Sequence, residues 1–283
     1  MNKILLINKP IGLTSRDVVN IISKAYNTKK VGHFGTLDPL ATGLLVIGIG
    51  KYTKLVNFLK EDTKEYIAEV LVGVATDTYD ITGNIVSKSD KKLDKVTLIK
   101  ALNSFKKTYM QEVPIYSAVK VNGEKLYNYA RNKKSVKLPK KEVTIFDIEL
   151  LEVNKDTFKF RVLVSKGTYI RSLINDLSKE ILIPLTMKGL VRTKQDIFKL
   201  SDADTLEDIE KGRAHLYDFE DIFNVEKEEL TNDNYKKIIN GCKVISKKDS
   251  LLYTKDNKNI VLYKGDGKEL KPFIFFEEWL YGI

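Results

Sequence analysis

The chain is poor in the residues that build covalent staples and metal centres. It holds one cysteine, Cys242, so no internal disulfide can form. It holds two histidines, too few to support a Cys/His metal site. Long hydrophobic runs are also missing. The N-terminal apolar run, Ile4 to Ile7, is far shorter than a signal-peptide core or a membrane span. No internal repeat or low-complexity tract is present. The expected setting is soluble, reducing and intracellular, with the cytoplasm as the default, no membrane association and no metal.

What is present supports a folded chain with a polyanionic partner. A length of 283 residues suffices for one large and one small domain, and 43% hydrophobic residues supply a core. Lys plus Arg exceed Asp plus Glu by 48 − 38 = 10. An excess of this size suggests nucleic acid, although solubility alone tolerates it.

The chain is organised around Gly32 to Lys54, GHFGTLDPLATGLLVIGIGKYTK. Asp38 lies between Leu37 and Pro39, and the proline disfavours helical geometry for it. Leu44 to Ile49 reads as a buried strand that anchors this loop. By itself an Asp-Pro turn among glycines is an ordinary turn. Ahead of it, residues 3–9 read as a strand and Pro10-Ile11-Gly12 as a turn. Thr14 or Ser15 caps a helix with Val18, Ile21, Ile22 and Ala25 on one face. Lys9 ends the first strand, either solvated or beside a functional site. Thr53 is expected to cap a short helix with Leu55, Phe58 and Leu59.

Residues 64–73 alternate as a strand, with Tyr66, Ala68, Val70 and Val72 on one face. On that pattern Tyr66 is a sheet-face aromatic. Leu98, Leu102 and Phe105 mark a helix. Residues 120–141 carry eight Lys or Arg, with Tyr127 and Tyr129 among them. Such a run is a solvated face or an RNA-gripping loop, with charge for phosphates and rings for bases. Glu142–Val153 and Thr157–Ser165 read as paired strands. Ile170, Leu173, Ile174, Leu177 and Ile181 then define a helix that puts Arg171 in its first turn. A cation is disfavoured there by the helix dipole, which hints at an anionic partner. The acidic, polar stretch after Phe223 reads as a linker. From about Glu226, short strands follow at 243–245, 251–253, 260–263 and 273–276.

Five motifs carry a resemblance. GHFGTLDPLATG with GIGKYTK resembles the signature of the TruB family of tRNA pseudouridine synthases, with Phe34 in place of a more usual threonine. KPIGLTS, KEY with LVGVATDTYDITG, the segment from Gln111 to Lys120, and SKGTYIR resemble further motifs of that family, in the family's order. Val113 replaces a proline in the third of these. The resemblance covers residues 3 to about 223.

The resemblance implies an α+β fold. A mixed, mainly antiparallel central sheet is flanked by helices over residues 1–223, with an inserted RNA-gripping loop at 120–141. A small all-β, PUA-like RNA-binding domain occupies 226–283. It implies isomerisation of the T-loop uridine at position 55 of tRNA, by base flipping, without cofactor or metal. Asp38, kept ionised, would be the catalytic aspartate, as nucleophile or electrostatic partner of the sugar or base, Arg171 its partner, and Tyr66 the ring that stacks on the uracil. Leu190 would pack beneath the base, and His33 would fill the space the base leaves or merely pack. Lys9, Tyr116, Lys120 and Arg131 complete the implied substrate contacts. The partner would be the T-arm of tRNA, with no obligatory protein partner and a monomeric state. A tRNA-folding factor and a guide-dependent relative working inside a ribonucleoprotein are the alternatives.

Overall fold

The computed structural model describes residues 1–59 and 63–276. Seven strands form the main path of the central sheet. They are β1 (Lys3–Lys9), β2 (Thr42–Ile49), β3 (Lys64–Val72), β4 (Thr108–Glu112), β5 (Lys140–Val153), β6 (Thr157–Val164) and β7 (Leu185–Gln195). Their spatial order is β1-β2-β7-β3-β6-β5-β4. All pairs on this path are antiparallel except β2 with β7, which run parallel through Val191 opposite Thr42 and Arg192 opposite Gly43. The short strand Val31–His33 pairs with β2.

Four helices bear on the site: α1 (Ser15–Ala25), α2 (Lys95–Ser104), α3 (Leu126–Arg131) and α4 (Ile170–Ile181). Alternation along each strand decides which layer it meets. Leu5 and Ile7 of β1 face α1 through Val18 and Ile22, whereas Ile4 and Leu6 face the opposite layer. That two-sided burial accounts for the unbroken apolar runs of β1 and β2. In β6, Phe158, Phe160, Val162 and Val164 enter the core beneath α2 and α4. Arg161 on the other face pairs with Glu65, Asp147 and Glu149. Thr14 caps α1 in a reciprocal capping box with Asp17.

Three local expectations are corrected. Thr53 is not a cap. The segment Gly50–Asn57 is a 3₁₀ helix, and the Thr53 hydroxyl donates back to the Gly50 carbonyl at 2.9 Å. The basic run is only partly a loop. It forms a tiny hairpin, Lys120–Val121 with Glu124–Lys125, and then α3; Lys140 and Lys141 already belong to β5, opposite Glu112 and Gln111. The acidic stretch read as a linker contributes a strand, because backbone pairing is indifferent to side-chain charge at an exposed edge.

That strand is β8 (Lys227–Glu229), parallel to Leu252–Thr254. It joins β9 (Val244–Ile245), β10 (Ser250–Lys255), β11 (Lys258–Gly265) and β12 (Glu269–Phe275) in the order β8-β10-β11-β12-β9. A helix, α5 (Asn232–Ile239), packs its Ile238 among Leu251, Tyr253 and Tyr263. Residues 277–283 of the expected C-terminal domain lie outside the described residues. Leu252, Leu262 and Ile274 share one hydrophobic cluster with Ile4, Leu44 and Phe219. The rings of Phe58, Phe219, Phe223 and Phe273 meet in tilted and edge-to-face contacts across the same junction.

Candidate active site

Asp38 is presented by the loop between Val31–His33 and β2, and side chains from several elements fix that loop. The Leu37 amide donates to Ser15 Oγ at 2.8 Å, and the Ser15 hydroxyl donates to the Leu37 carbonyl at 3.2 Å. The Pro39 carbonyl accepts from the Gly12 amide, and the Asp38 carbonyl from the Ala41 amide. Beneath the loop lies Arg192 of β7, wholly buried. Its Nε donates to Leu44 O at 2.7 Å and its Nη2 to Gly35 O at 3.1 Å. The Phe34 ring packs in the core with Leu6, Leu44 and Val46.

Lys9 is not a solvated strand end. It is fully buried, and its ammonium donates to Pro10 O at 2.9 Å and Leu13 O at 2.7 Å. Burial pulls its pKa down to about 8; the Asp38 carboxylate opposes that fall and Arg192 adds to it.

Arg171 meets four groups from three distant segments. Its Nε lies 2.9 Å from Asp38 Oδ2 and 3.9 Å from Asp80 Oδ2. Its Nη1 donates to Thr78 O at 3.3 Å and its Nη2 to Tyr116 O at 3.1 Å. The guanidinium side chain is 6% exposed and Asp80 8%, but Asp38 is 38% exposed. Asp80 is held by the Thr82 amide and by the hydroxyls of Thr78 and Thr82. One carboxylate is therefore built in, and the other opens outward.

Asp38 opens into a cleft of about 300 Å³ that Arg171, Tyr66, Leu190, Lys64, Lys166 and Tyr169 also line. Tyr66 lies opposite Arg192 in the β3–β7 pair, two residues along from the Leu190–Ala68 pairing, so Tyr66 and Leu190 share one sheet face. The volume lies at the lower end of the range for small-molecule clefts, about 300–1,000 Å³.

Other candidates fall outside this cleft. His33 is absent from the lining; its Nδ1 is buried with no hydrogen-bond partner among the described residues, and burial, with Arg16 and Arg192 nearby, pushes its pKa down. Tyr116 contributes its carbonyl to Arg171, while Ser117 and Ala118 line the cleft. Lys120 and Arg131 belong to the hairpin and α3; there the Lys125 ammonium and the Arg131 guanidinium each lie 5.5 Å from the Tyr127 ring centroid. Sequence reasoning missed Asp80, Lys64, Lys166, Tyr169 and Arg192. The Asp and Thr alternation of TDTYDIT was the available signal for Asp80, since such runs fold into tight side-chain-to-backbone turns.

Residues 23–170 match the family model for the N-terminal domain of TruB family pseudouridylate synthases. The chain belongs to the TruB family. A tRNA pseudouridine synthase B of Clostridium tetani is 40% identical over 270 residues, covering 93% of this chain and 91% of that protein. Its counterpart in Caldicellulosiruptor saccharolyticus is 38% identical over 291 residues, covering 99% and 100%. Among solved structures, an H/ACA RNP bound to a substrate RNA containing 2'-deoxyuridine is similar with a TM-score of 0.69 and 22% identity. The alignment covers 98% of this chain and 85% of that one, and it bears on the fold. The mixed α+β architecture with a C-terminal sheet is the pseudouridine synthase fold. In this TruB-family chain the DPLATG and SKGTYIR motifs, 133 positions apart from Asp38 to Arg171, meet at one ion pair.

Proposed function

We propose that the chain isomerises uridine to pseudouridine in tRNA, at position 55 of the T-loop. The observation that carries this reading is the 2.9 Å pair of half-open Asp38 and buried Arg171 at the wall of a cleft of about 300 Å³. The reaction breaks the bond from uracil N1 to ribose C1′ and forms one from C5 to C1′. A proton leaves C5 and one is gained at N1. Atoms and electrons balance without water, redox partner or metal.

In this reading Asp38 is the nucleophile, or the anion that stabilises the separated sugar or base. Arg171 orients it through a charge-assisted bond, with Asp80 and the two carbonyls fixing the guanidinium. Tyr66 stacks on the flipped uracil and offers a hydroxyl for proton transfer, and Leu190 packs beneath the base. Lys9 supports the Asp38 loop from below. Flipping costs a few kcal/mol, less in a loop than in a duplex. Phosphate contacts from Lys120, Arg131 and their neighbours offset that cost, while His33 fills the vacated space. Residues 1–223 carry the chemistry, 120–141 grip the T-arm and 226–283 bind RNA. The protein acts as a cytoplasmic monomer without a guide RNA.

The test is tritium release from unmodified tRNA labelled at uracil C5, beside a binding assay, with Asp38→Asn as the paired variant. Release by the wild type, abolished in a variant that still binds tRNA, is the expected result. A folded wild type that binds tRNA but releases no tritium would leave a folding factor or a guide-dependent enzyme in its place.

A further inference from the structure

The helix that carries Arg171 begins without a cap of its own. Helix α1 closes its first turn with Thr14 and Asp17, and α2 with Asp94. Tyr169 precedes α4 instead. Its side chain makes no capping bond, and no acid lies in the first turn. N–H groups at a helix start are costly when they are buried without an acceptor.

The acceptor comes from the edge strand β4. Gln111 is 1% exposed and lies 58 positions before Tyr169; its Oε1 accepts from the Tyr169 amide at 2.8 Å. In a capping box that acceptor belongs to the third residue of the helix itself. The third residue of α4 is Ser172, whose hydroxyl donates to the Glu112 carbonyl of β4 at 2.8 Å. Two bonds thus clasp the first turn of α4 to β4.

Gln111 is itself aimed. Its Nε2 donates to Tyr109 Oη at 2.8 Å, and the Tyr109 hydroxyl donates to Asp176 Oδ2 at 3.4 Å. Tyr109 and Gln111 share one face of β4, and Asp176 lies one turn beyond Arg171 on α4. A backbone N–H only donates, so the amide oxygen must face Tyr169 and the amide nitrogen Tyr109. The clasp follows a place where the chain can pivot. Ser165 to Thr168 form a turn, with Gly167 at φ +82°. Lys166 to Arg171 all line the cleft. Arg171 comes two residues after the held amide, and its Nε lies 2.9 Å from Asp38 Oδ2. A shift of about 1 Å at the helix start takes that contact out of hydrogen-bond range.

We infer that Gln111 is a positioning residue for the reaction. It does not line the cleft. It acts through the Tyr169 amide, by fixing the start of α4 and hence the line from Arg171 to Asp38. The inference rests on the isomerisation proposed above.

The experiment measures the single-turnover rate at saturating enzyme, tRNA affinity and thermal melting for Gln111→Met, Gln111→Asn and Gln111→Glu. Methionine keeps the length without the amide. Asparagine keeps the amide but draws it back by one carbon. Glutamate keeps an oxygen within reach of the Tyr169 amide in either protonation state. The first two should slow the saturated rate by about tenfold or more, since a misplacement of about 1 Å costs about 10²-fold. Their affinity should stay within about threefold of wild type, and Gln111→Glu should recover most of the rate. Gln111→Asn decides the matter where Gln111→Met does not fold. A cycle with Arg171→Lys gives a second readout. In that background Gln111→Asn should slow the reaction by less than about twofold further, because both changes break one line of contact. Folded Met and Asn variants within about twofold of the wild-type rate overturn the inference. So do losses that multiply fully in the cycle, a loss that Gln111→Glu does not recover, or failure of both the Met and Asn variants to fold. A wild type that binds tRNA without isomerising it defeats the proposed function instead, a result distinct from all of these.

Discussion

Arg171 fixes two carboxylates and two carbonyls through one planar fork, a task a lysine ammonium cannot repeat. Arg171→Lys is expected to lower the single-turnover rate by about 10²-fold or more, since small misplacements of a reacting group cost that much. Affinity for tRNA should stay within a few-fold, and rapid-quench kinetics beside filter binding would separate the two. Arg171 stood out in the sequence as a cation at a helix start, whereas Asp38, an acid in an ordinary proline turn, stood out only through the resemblance of its motif. Asp80 breaks no local rule, and its bonds to Thr78 and Thr82 resemble an ordinary turn. The burial of Lys9 and Arg192 was equally hidden, because long cationic side chains read as surface. Lys9 carries a pH consequence. Its folded pKa is about 8 against 10.5 for a free lysine. Between those values the unfolded chain binds more protons than the folded one, so the Lys9 contribution to stability rises with pH. Below about 8 both states are protonated and that slope vanishes. Urea unfolding from pH 7 to 10 should show wild type gaining stability relative to Lys9→Met across this window, and a flat difference would contradict the assignment.

Among the elements, β7 matters most to the site. It carries Leu190 into the cleft and Arg192 under the Asp38 loop, and its strand pairing with β2 runs through Thr42 and Gly43. Gly43 has φ +96°, and a Cβ there would sit 2.4 Å from the Arg192 carbonyl oxygen. Gly43→Ala should therefore destabilise the protein by at least about 1–3 kcal/mol, through backbone strain and a widened strand pair. A thermal melt reads the effect; a melting temperature equal to wild type would show that the pairing is looser than described. Alternation made β3 and β6 legible, and a wide apolar stripe did so for α4. It could not reveal β8, whose three exposed charged residues show no apolar alternation. Nor could it reveal strand order, because pairings such as Lys64 with Gln195 join residues too distant for any local pattern.

For the molecule as a whole, the two sheets share a core through Phe219, which is wholly buried among Phe58, Phe223 and Phe276. Phe219→Ala should cost about 3–5 kcal/mol. Because the cluster belongs to both sheets, scanning calorimetry should show one transition in wild type, and two separate peaks would show the sheets to be independent. Net charge pointed to a polyanionic partner but to no one surface; that Lys29, Lys30, Lys51 and Lys54 line one groove is visible only in the fold. The position of β7 between β2 and β3 has a consequence for synthesis. A chain leaving the ribosome delivers Asp38 and Tyr66 early, on either side of a slot one strand wide. The strand that fills the slot spans Leu185–Gln195, so a nascent chain halted after Tyr66 but before this strand carries both residues without the cleft. On this strand order the cleft is complete only once about two-thirds of the chain has been made.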